Sequence, residues 1–221
     1  MDIQQLLQNR HSVRAFLPKS IPTEELQEIF NLAQSSVSNC NVQPWQNYVV
    51  SGNALKKLSE NFIQQLMNGA QPNPDFDWAI NYQGVHRERQ FGAANALYSA
   101  MGIERDDKKS RQMAMARNWQ FFDAPHAIFF CMEKYLGIMG AVDMGIYAQT
   151  LSLIMQDRGI SNCMQGALGQ FPEPIRKSLN IPDEIGVLFG MSFGYEDTKA
   201  NANQSRTNRE DTSQAIQFIS D

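Results

Sequence analysis

Apolar residues recur at helical spacing in several parts of the chain. Two segments are the clearest. One opens at Pro22 and Thr23, and the other spans residues 144–155. Intervals of three and four predict amphipathic helices there, and Gly159 after the second segment is suited to ending a helix. Weaker periods predict further helices after Asp2, over residues 54–67, over residues 87–117 with a break near Gly102, and over residues 172–179.

Three other apolar runs are too short for helices and have the composition of buried strands. They cover residues 48–52, 127–132 and 185–193, and each is rich in aromatic or β-branched side chains or bounded by turn residues. Long helical stretches therefore separate few strands. This order predicts one α+β domain in which helices pack over a small sheet.

Two segments interrupt these periods. Residues 35–45 are rich in Ser and Asn and hold Pro44, which predicts a loop. Residues 68–82 contain one glycine and two prolines together with Phe76, Trp78 and Tyr82. This composition predicts a long loop, which is either a binding lid or a surface loop anchored by its aromatic residues. From Tyr195 onward the chain becomes polar.

Composition excludes several classes of protein. The 221 residues are 43 % hydrophobic and 19 % charged with a net charge of −4, which argues against a disordered chain and against one that coats nucleic acid. The three cysteines and three histidines are scattered, so their spacing predicts no zinc site and no disulfide framework. No signal peptide or run of about 20 apolar residues is present, and we expect a cytoplasmic protein with no membrane partner.

The basic stretch near the N-terminus is the first candidate site. Arg10 and Arg14 lie four residues apart on either side of Ser12, and two guanidinium groups with a hydroxyl can converge on one anion such as a phosphate. The same pattern also occurs on solvated surfaces.

Three further motifs carry polar groups. Residues 38–45 read Ser-Asn-Cys-Asn-Val-Gln-Pro-Trp, which suits either a heterocycle-binding loop or a loop that caps its own backbone. Residues 159–167, Gly-Ile-Ser-Asn-Cys-Met-Gln-Gly-Ala, suit either a close backbone approach to a ligand or an ordinary turn between helices. Arg206 and Arg209 lie in the polar tail, where a solvated segment is the simplest interpretation. Cys40 is either a redox thiol or a small buried residue.

Together, and in this order along essentially the whole chain, the four motifs resemble the FMN-dependent nitroreductase family. The second motif, with Asn118 and the run Phe-Phe-Asp-Ala-Pro at 121–125, looks most like the nitrobenzoate-reductase-like branch. The resemblance implies a mixed, mainly antiparallel sheet wrapped by helices, with residues 1–221 as a single domain. It also implies an intertwined homodimer with a flavin at the interface, in which the tail 196–221 embraces the partner subunit.

The resemblance also implies where FMN is held. The phosphate ligands would be the side chains of the first and last motifs: Arg10, His11, Ser12, Arg206 and Arg209. Arg14 would lie toward the flavin N1/O2 edge, where a cation favours the reduced form. The resemblance does not decide which of the two tail arginines, Arg206 or Arg209, reaches the phosphate.

The remaining flavin contacts implied by the resemblance divide between two chains. Ser38, Asn39 and Asn41 would reach the flavin of the partner chain. The backbone of Gln165 and Gly166 would face flavin N5, and Asn118 would be a further contact. Gln165 stands where many relatives carry an acidic residue.

The activity implied is an NAD(P)H-dependent flavoprotein oxidoreductase that reduces nitroaromatics or quinone-like acceptors by a two-step hydride relay through FMN. The flavin carries the chemistry, so no catalytic side chain and no metal is expected. Dehalogenation, enone reduction and flavin fragmentation on the same fold are alternatives, as is a non-catalytic flavin-binding sensor. The sequence leaves open the small aromatic acceptor and the preference between NADH and NADPH.

Overall fold

A computed structural model describes residues 2–77 and 81–220. Within these ranges seven α-helices and four strands form. The helices are α1 (Ile3–Asn9), α2 (Thr23–Ala33), α3 (Gly52–Met67), α4 (Gly84–Ala100), α5 (Lys108–Ala116), α6 (Gly137–Asp157) and α7 (Pro172–Leu179). The strands are β1 (Tyr48–Ser51), β2 (His126–Glu133), β3 (Ser161–Gln165) and β4 (Ile185–Gly194).

The four strands form one antiparallel sheet in the order β1-β2-β4-β3. The α+β prediction is confirmed, and so are the three predicted strands. Among the described residues, parallel pairing is limited to one isolated bridge, between Ser12 and Asn162. The sequence does not predict strand β3, because the polar residues at 161–165 suit a binding segment or a turn.

Strand β2 is the centre of the core because both of its faces are covered. Ala127, Phe129 and Cys131 pack on the side of α3 and α7, whereas Ile128 and Phe130 pack on the side of α2 and α6. This alternation is the two-residue period of a strand. Both faces are apolar, as expected for a strand buried between two helical layers.

A β-bulge in β4 reverses which face its side chains occupy. Phe130 pairs with Phe189 but Cys131 pairs with Val187, so Leu188 is an extra residue. Val187 therefore lies in the α3–α7 layer, whereas Met191 lies in the α2–α6 layer.

Helix α6 covers one face of the sheet and also leaves an apolar stripe uncovered. Met144, Leu151 and Met155 are buried in the core, and the helix is followed by Gly159 with φ of +71°, as the sequence predicted for its end. With the turn before it, this helix is long and apolar enough to cross a membrane, although core helices of globular domains meet the same criterion. Its exposed residues matter for the assembly considered below.

The long loop at residues 68–82 is anchored to the sheet by Asp75 and Phe76. The Asp75 carboxylate accepts two hydrogen bonds from Arg176 Nη2, at 2.8 and 2.9 Å, and one from the Val187 amide at 2.9 Å. The Phe76 ring lies so close to Gly186 that a Cβ there would be 2.5 Å from it. Anchoring by Phe76 agrees with the interpretation as a surface loop held by its aromatic residues. Trp78, which belongs to the same prediction, lies outside the described residues.

Candidate active site

A basic cavity of about 310 Å³ forms between the N-terminal connector, residues 10–16, and the C-terminal tail. Six of the predicted phosphate and flavin ligands line it: Arg10, His11, Ser12, Arg14, Arg206 and Arg209. The two segments are almost two hundred residues apart in sequence, so the fold itself brings four guanidinium groups to one place. Such a concentration of cations is suited to a dianionic group such as a phosphate monoester.

Asn203 holds the two segments of this cavity together. Its side-chain oxygen accepts a hydrogen bond from the Arg14 amide at 2.7 Å, and its Nδ2 donates to the carbonyl oxygens of Ala15 at 2.8 Å and Asp197 at 2.9 Å. Asn203 is 1 % exposed, and all of these bonds are made in the interior. The tail is therefore fixed to the connector immediately before Arg206.

Strand β3 holds the connector from the other side. The Val13 amide donates to the Asn162 carbonyl at 3.1 Å, and the Asn162 side chain accepts from the Ser152 hydroxyl at 2.9 Å. The unpredicted strand is thus what orients Ser12 and Arg14 toward the cavity.

Cys163 lies on β3 beneath these residues. Burial raises the pKa of the Cys163 thiol, and the Arg14 guanidinium and the Ser12 hydroxyl oppose that rise. The thiol is therefore a neutral buried group.

His11 has a partner that the sequence did not predict. Its Nδ1 lies 3.0 Å from the Asn9 carbonyl oxygen, and its Nε2 lies 3.1 Å from Glu196 Oε1. Both partners are oxygen acceptors. In this arrangement the ring nitrogens bond to protein groups rather than pointing into the cavity.

Gln165 and Asn118 meet at the end of β3. Gln165 Nε2 donates to the Asn118 carbonyl at 2.9 Å and to Asn118 Oδ1 at 3.3 Å, while Gln165 Oε1 accepts from the Ser192 hydroxyl. The Asn118 amide in turn donates to the Met115 carbonyl at 2.9 Å. The Gln165 side chain is thus fully engaged and 3 % exposed.

The segment that follows Asn118 is conformationally strained. Phe121, Phe122 and Asp123 have φ of 54°, 54° and 63°, a left-handed turn that non-glycine residues adopt reluctantly. Phe121 and Phe122 are buried in separate clusters, which holds this turn in place.

The loop of the second motif stands apart from the basic cavity. Ser38, Asn39 and Asn41 are not among the residues that line it. Their loop contains a short 3₁₀ turn, Asn39–Asn41, and Cys40 within it is exposed. One chain therefore gathers the predicted phosphate ligands but does not bring these three residues to them.

Three supporting residues were missed from the sequence: Asn203, Ser192 and Asp143. The Asp143 carboxylate accepts a hydrogen bond from the Asn39 amide at 3.0 Å. Each of them stands alone in its segment and belongs to no motif: Asn203 in the polar tail, Ser192 in an apolar strand and Asp143 in a core helix. The one available signal is Asp143, because a lone acidic residue within the apolar face of a helix is unusual. Among the described residues no group of three or more His, Cys, Asp or Glu side chains could hold a metal ion.

Comparison with known proteins agrees with the resemblance found in the sequence. Residues 7–195 match the family model described as the nitroreductase family. The chain is 35 % identical over 216 residues to nitroreductase NfnB of Mycolicibacterium smegmatis, covering 97 % of this chain and 92 % of that one. It is 32 % identical over 209 residues to 4-nitrobenzoate reductase of Pseudomonas putida, covering 95 % and 92 %.

The fold is also similar to that of a solved relative. The crystal structure of the FMN-dependent nitroreductase NfnB from Mycobacterium smegmatis in complex with NADPH superposes with a TM-score of 0.94 at 35 % identity, covering 98 % of this chain and 97 % of that one.

Proposed function

The chain belongs to the nitroreductase family, and from this we propose an FMN-dependent oxidoreductase that passes electrons from NAD(P)H to nitroaromatic or quinone-like acceptors. Relatives named as nitroreductases, one of them FMN-dependent and bound to NADPH, support this activity. When bound, FMN supplies the electron transfer between donor and acceptor.

The basic cavity is the observation that carries the cofactor assignment. Four arginines line one volume of about 310 Å³, and like charges gathered in one place are stabilised by a bound anion. The Ser12 hydroxyl adds a neutral donor. We assign Arg10, Ser12, Arg206 and Arg209 to the FMN phosphate, with Arg14 toward the flavin ring.

Gln165 and Asn118 are assigned to the flavin ring. Their mutual hydrogen bonds fix the backbone at Gln165 and Gly166, which we place beside flavin N5. The chain's own contribution is thus to bind and orient: the cations hold the phosphate, and the rigid end of β3 presents backbone to the ring.

We further propose that two copies of the chain share each site. Ile138, Val142 and Ile146 form an exposed stripe one turn apart along α6, and helix α4 has no buried residue among those described. A second copy would cover both surfaces. In that dimer residues 38–41 of one protomer would reach the flavin of the other, and the tail with exposed Phe218 and Ile219 would embrace the partner.

Absorbance of the purified protein under anaerobic conditions tests the activity. We expect a yellow protein that loses its flavin colour with NADPH or NADH and regains it when 4-nitrobenzoate or a quinone is added. Colour that NAD(P)H does not bleach would favour a flavin-binding sensor. Reoxidation by an enone or halophenol but not by a nitroarene or quinone would favour the other chemistries of this fold, and a colourless protein that takes up no FMN would contradict the proposal.

A further inference from the structure

Helix α6 contacts both ends of the loop that carries Ser38, Asn39 and Asn41. Asp143 touches the beginning of the loop and Tyr147 touches its end. These two residues are four apart, and therefore they lie on the same face of the helix one turn from each other.

The first contact is a hydrogen bond from a backbone amide to a buried carboxylate. The Asn39 amide donates to Asp143 Oδ1 at 3.0 Å, and Asp143 is 4 % exposed. Asn39 opens the 3₁₀ turn Asn39–Asn41, where amides have no partner within the turn. A charged acceptor at this point is stronger than a neutral one.

The second contact is a ring stack. The Trp45 indole lies on the Tyr147 ring with centroids 4.8 Å apart and planes inclined by 28°. Trp45 Nε1 also donates to Gln34 Oε1 at 2.8 Å. The end of the loop is therefore held by α6 and by Gln34, the residue that follows α2.

Between these two contacts the backbone is strained. Cys40, Asn41 and Gln43 have φ of 49°, 55° and 50°. Within the loop, the Gln43 amide also donates to Ser38 Oγ at 2.9 Å. Left-handed conformations at non-glycine residues persist only where the surroundings impose them, and the contacts at the two ends of the loop supply that constraint.

We propose that Asp143 and Tyr147 are positioning residues that hold this loop in the shape needed to contact the flavin ring. This inference rests on the proposed function, because the loop is assigned to the flavin there. Neither residue touches the cofactor. Asp143 fixes Asn39 and Asn41 by capping their turn, and Tyr147 fixes the exit of the loop through Trp45.

The test compares two ligands that share the flavin ring and differ in the phosphate. Equilibrium binding of FMN and of riboflavin is measured for the apo-protein, for Asp143→Ala and for Arg10→Ala. Asp143→Ala should weaken both ligands by the same factor, roughly ten- to a hundredfold, since a hydrogen bond to a charged acceptor is lost. Arg10→Ala should weaken FMN and leave riboflavin unchanged.

Two further variants separate positioning from general stability. Asp143→Asn keeps an acceptor for the Asn39 amide and should restore most of the affinity for both flavins. Trp45→Ala removes the ring stack and the bond to Gln34 without altering α6, and it should weaken both flavins as Asp143→Ala does. Thr150→Ala is the control and should change neither affinity, because the Thr150 hydroxyl donates to the Ile146 carbonyl of the same helix and not to the loop. Thermal unfolding of each apo-protein shows whether it is folded.

The outcomes distinguish this inference from the proposed function. The positioning role is wrong if Asp143→Ala, Asp143→Asn and Trp45→Ala are all folded and all bind FMN and riboflavin as the parent does. The cofactor site would stand in that case. An equal loss of affinity in Asp143→Ala and Asp143→Asn would also overturn the role of the hydrogen bond. If Arg10→Ala binds FMN normally, it is the proposed phosphate site that fails.

Discussion

The side chain of Gln165 offers a sharp test of how the end of β3 is built. Its Nε2 faces two oxygens of Asn118, the carbonyl at 2.9 Å and Oδ1 at 3.3 Å, and its Oε1 accepts from the Ser192 hydroxyl. Gln165→Glu conserves the shape of the side chain but replaces the donor by an oxygen. An ionised carboxylate there would face the two Asn118 oxygens with no proton between them.

The expected size of the effect follows from this geometry. The position is 3 % exposed, so the introduced carboxyl group loses hydration as well as a donor, and both changes favour its protonated form. The raised pKa of this carboxyl group and the loss of a buried donor together should cost about 1 to 3 kcal/mol of unfolding free energy at neutral pH. The protonated form can donate to Asn118 and replace the lost bond.

The sign of the pH dependence is fixed by the same reasoning. Because the folded state holds its proton more tightly than the unfolded state, the folded state of Gln165→Glu binds more protons at intermediate pH. The destabilisation should therefore be small below about pH 4.3 and should grow as the pH rises, reaching its full value above the folded-state pKa.

Denaturant unfolding of the apo-proteins at about pH 4.5 and about pH 8 measures this difference. Gln112→Glu, on the exposed side of α5, is the matched control and should lose little stability at either pH. An equal loss for Gln165→Glu at both pH values, or no loss at pH 8, would refute the account of a donor required at this position.

Three other predictions concern single residues. Arg10→Ala should weaken FMN binding roughly ten- to a hundredfold, because one charge-assisted hydrogen bond to the phosphate is lost; an unchanged dissociation constant would remove this residue from the site. Arg14→Ala should lower the midpoint potential of the bound flavin by tens of millivolts, since 30 mV corresponds to about 1.4 kcal/mol for two electrons; an unchanged midpoint with weaker FMN binding would place Arg14 with the phosphate instead. Burial lowers the pKa of His126, whose Nε2 accepts a hydrogen bond from the Ile21 amide at 2.9 Å, so stability present above about pH 6.5 should be lost as the pH falls. His126→Gln should reduce that slope in unfolding free energy, whereas His86→Gln, at an exposed position, should retain it; equal slopes in the two variants would contradict this assignment.

Regular apolar periods made most of the fold predictable. The spacing of core residues 144, 147, 148, 151 and 155 is that of a buried helix. The short length and aromatic content of the apolar run in β2 favour a buried strand. Strand β3 could not be recognised in the same way. Its residues Asn162 and Gln165 are polar yet buried, because Ser152 and Ser192 on neighbouring elements satisfy them, and such partners are visible only in the fold.

The candidate site was predictable only through the order of its motifs. Arg10 and Arg206 are each ordinary surface residues when taken alone, and their convergence depends on Asn203, whose hydrogen bonds with Arg14 and Ala15 tie the tail to the connector. Glu196 as the partner of His11 was likewise hidden. Contacts of this kind join residues far apart in sequence and leave no local periodicity.

The central claim is that each flavin site is divided between two chains, with the phosphate cavity on one and the loop at residues 38–41 on the other. Mixed dimers of differently tagged chains test it. One mixed dimer carries Arg10→Ala in one chain and Asn39→Ala with Asn41→Ala in the other. A second carries all three substitutions in one chain beside an unaltered chain.

The measurement is the number of tightly bound FMN molecules per mixed dimer, at an FMN concentration that saturates the parent but not the variants. A divided site predicts one FMN in the first mixed dimer, because one intact cavity meets one intact loop, and none in the second. One FMN in the second and none in the first would show that each chain builds its own site, and would contradict the account.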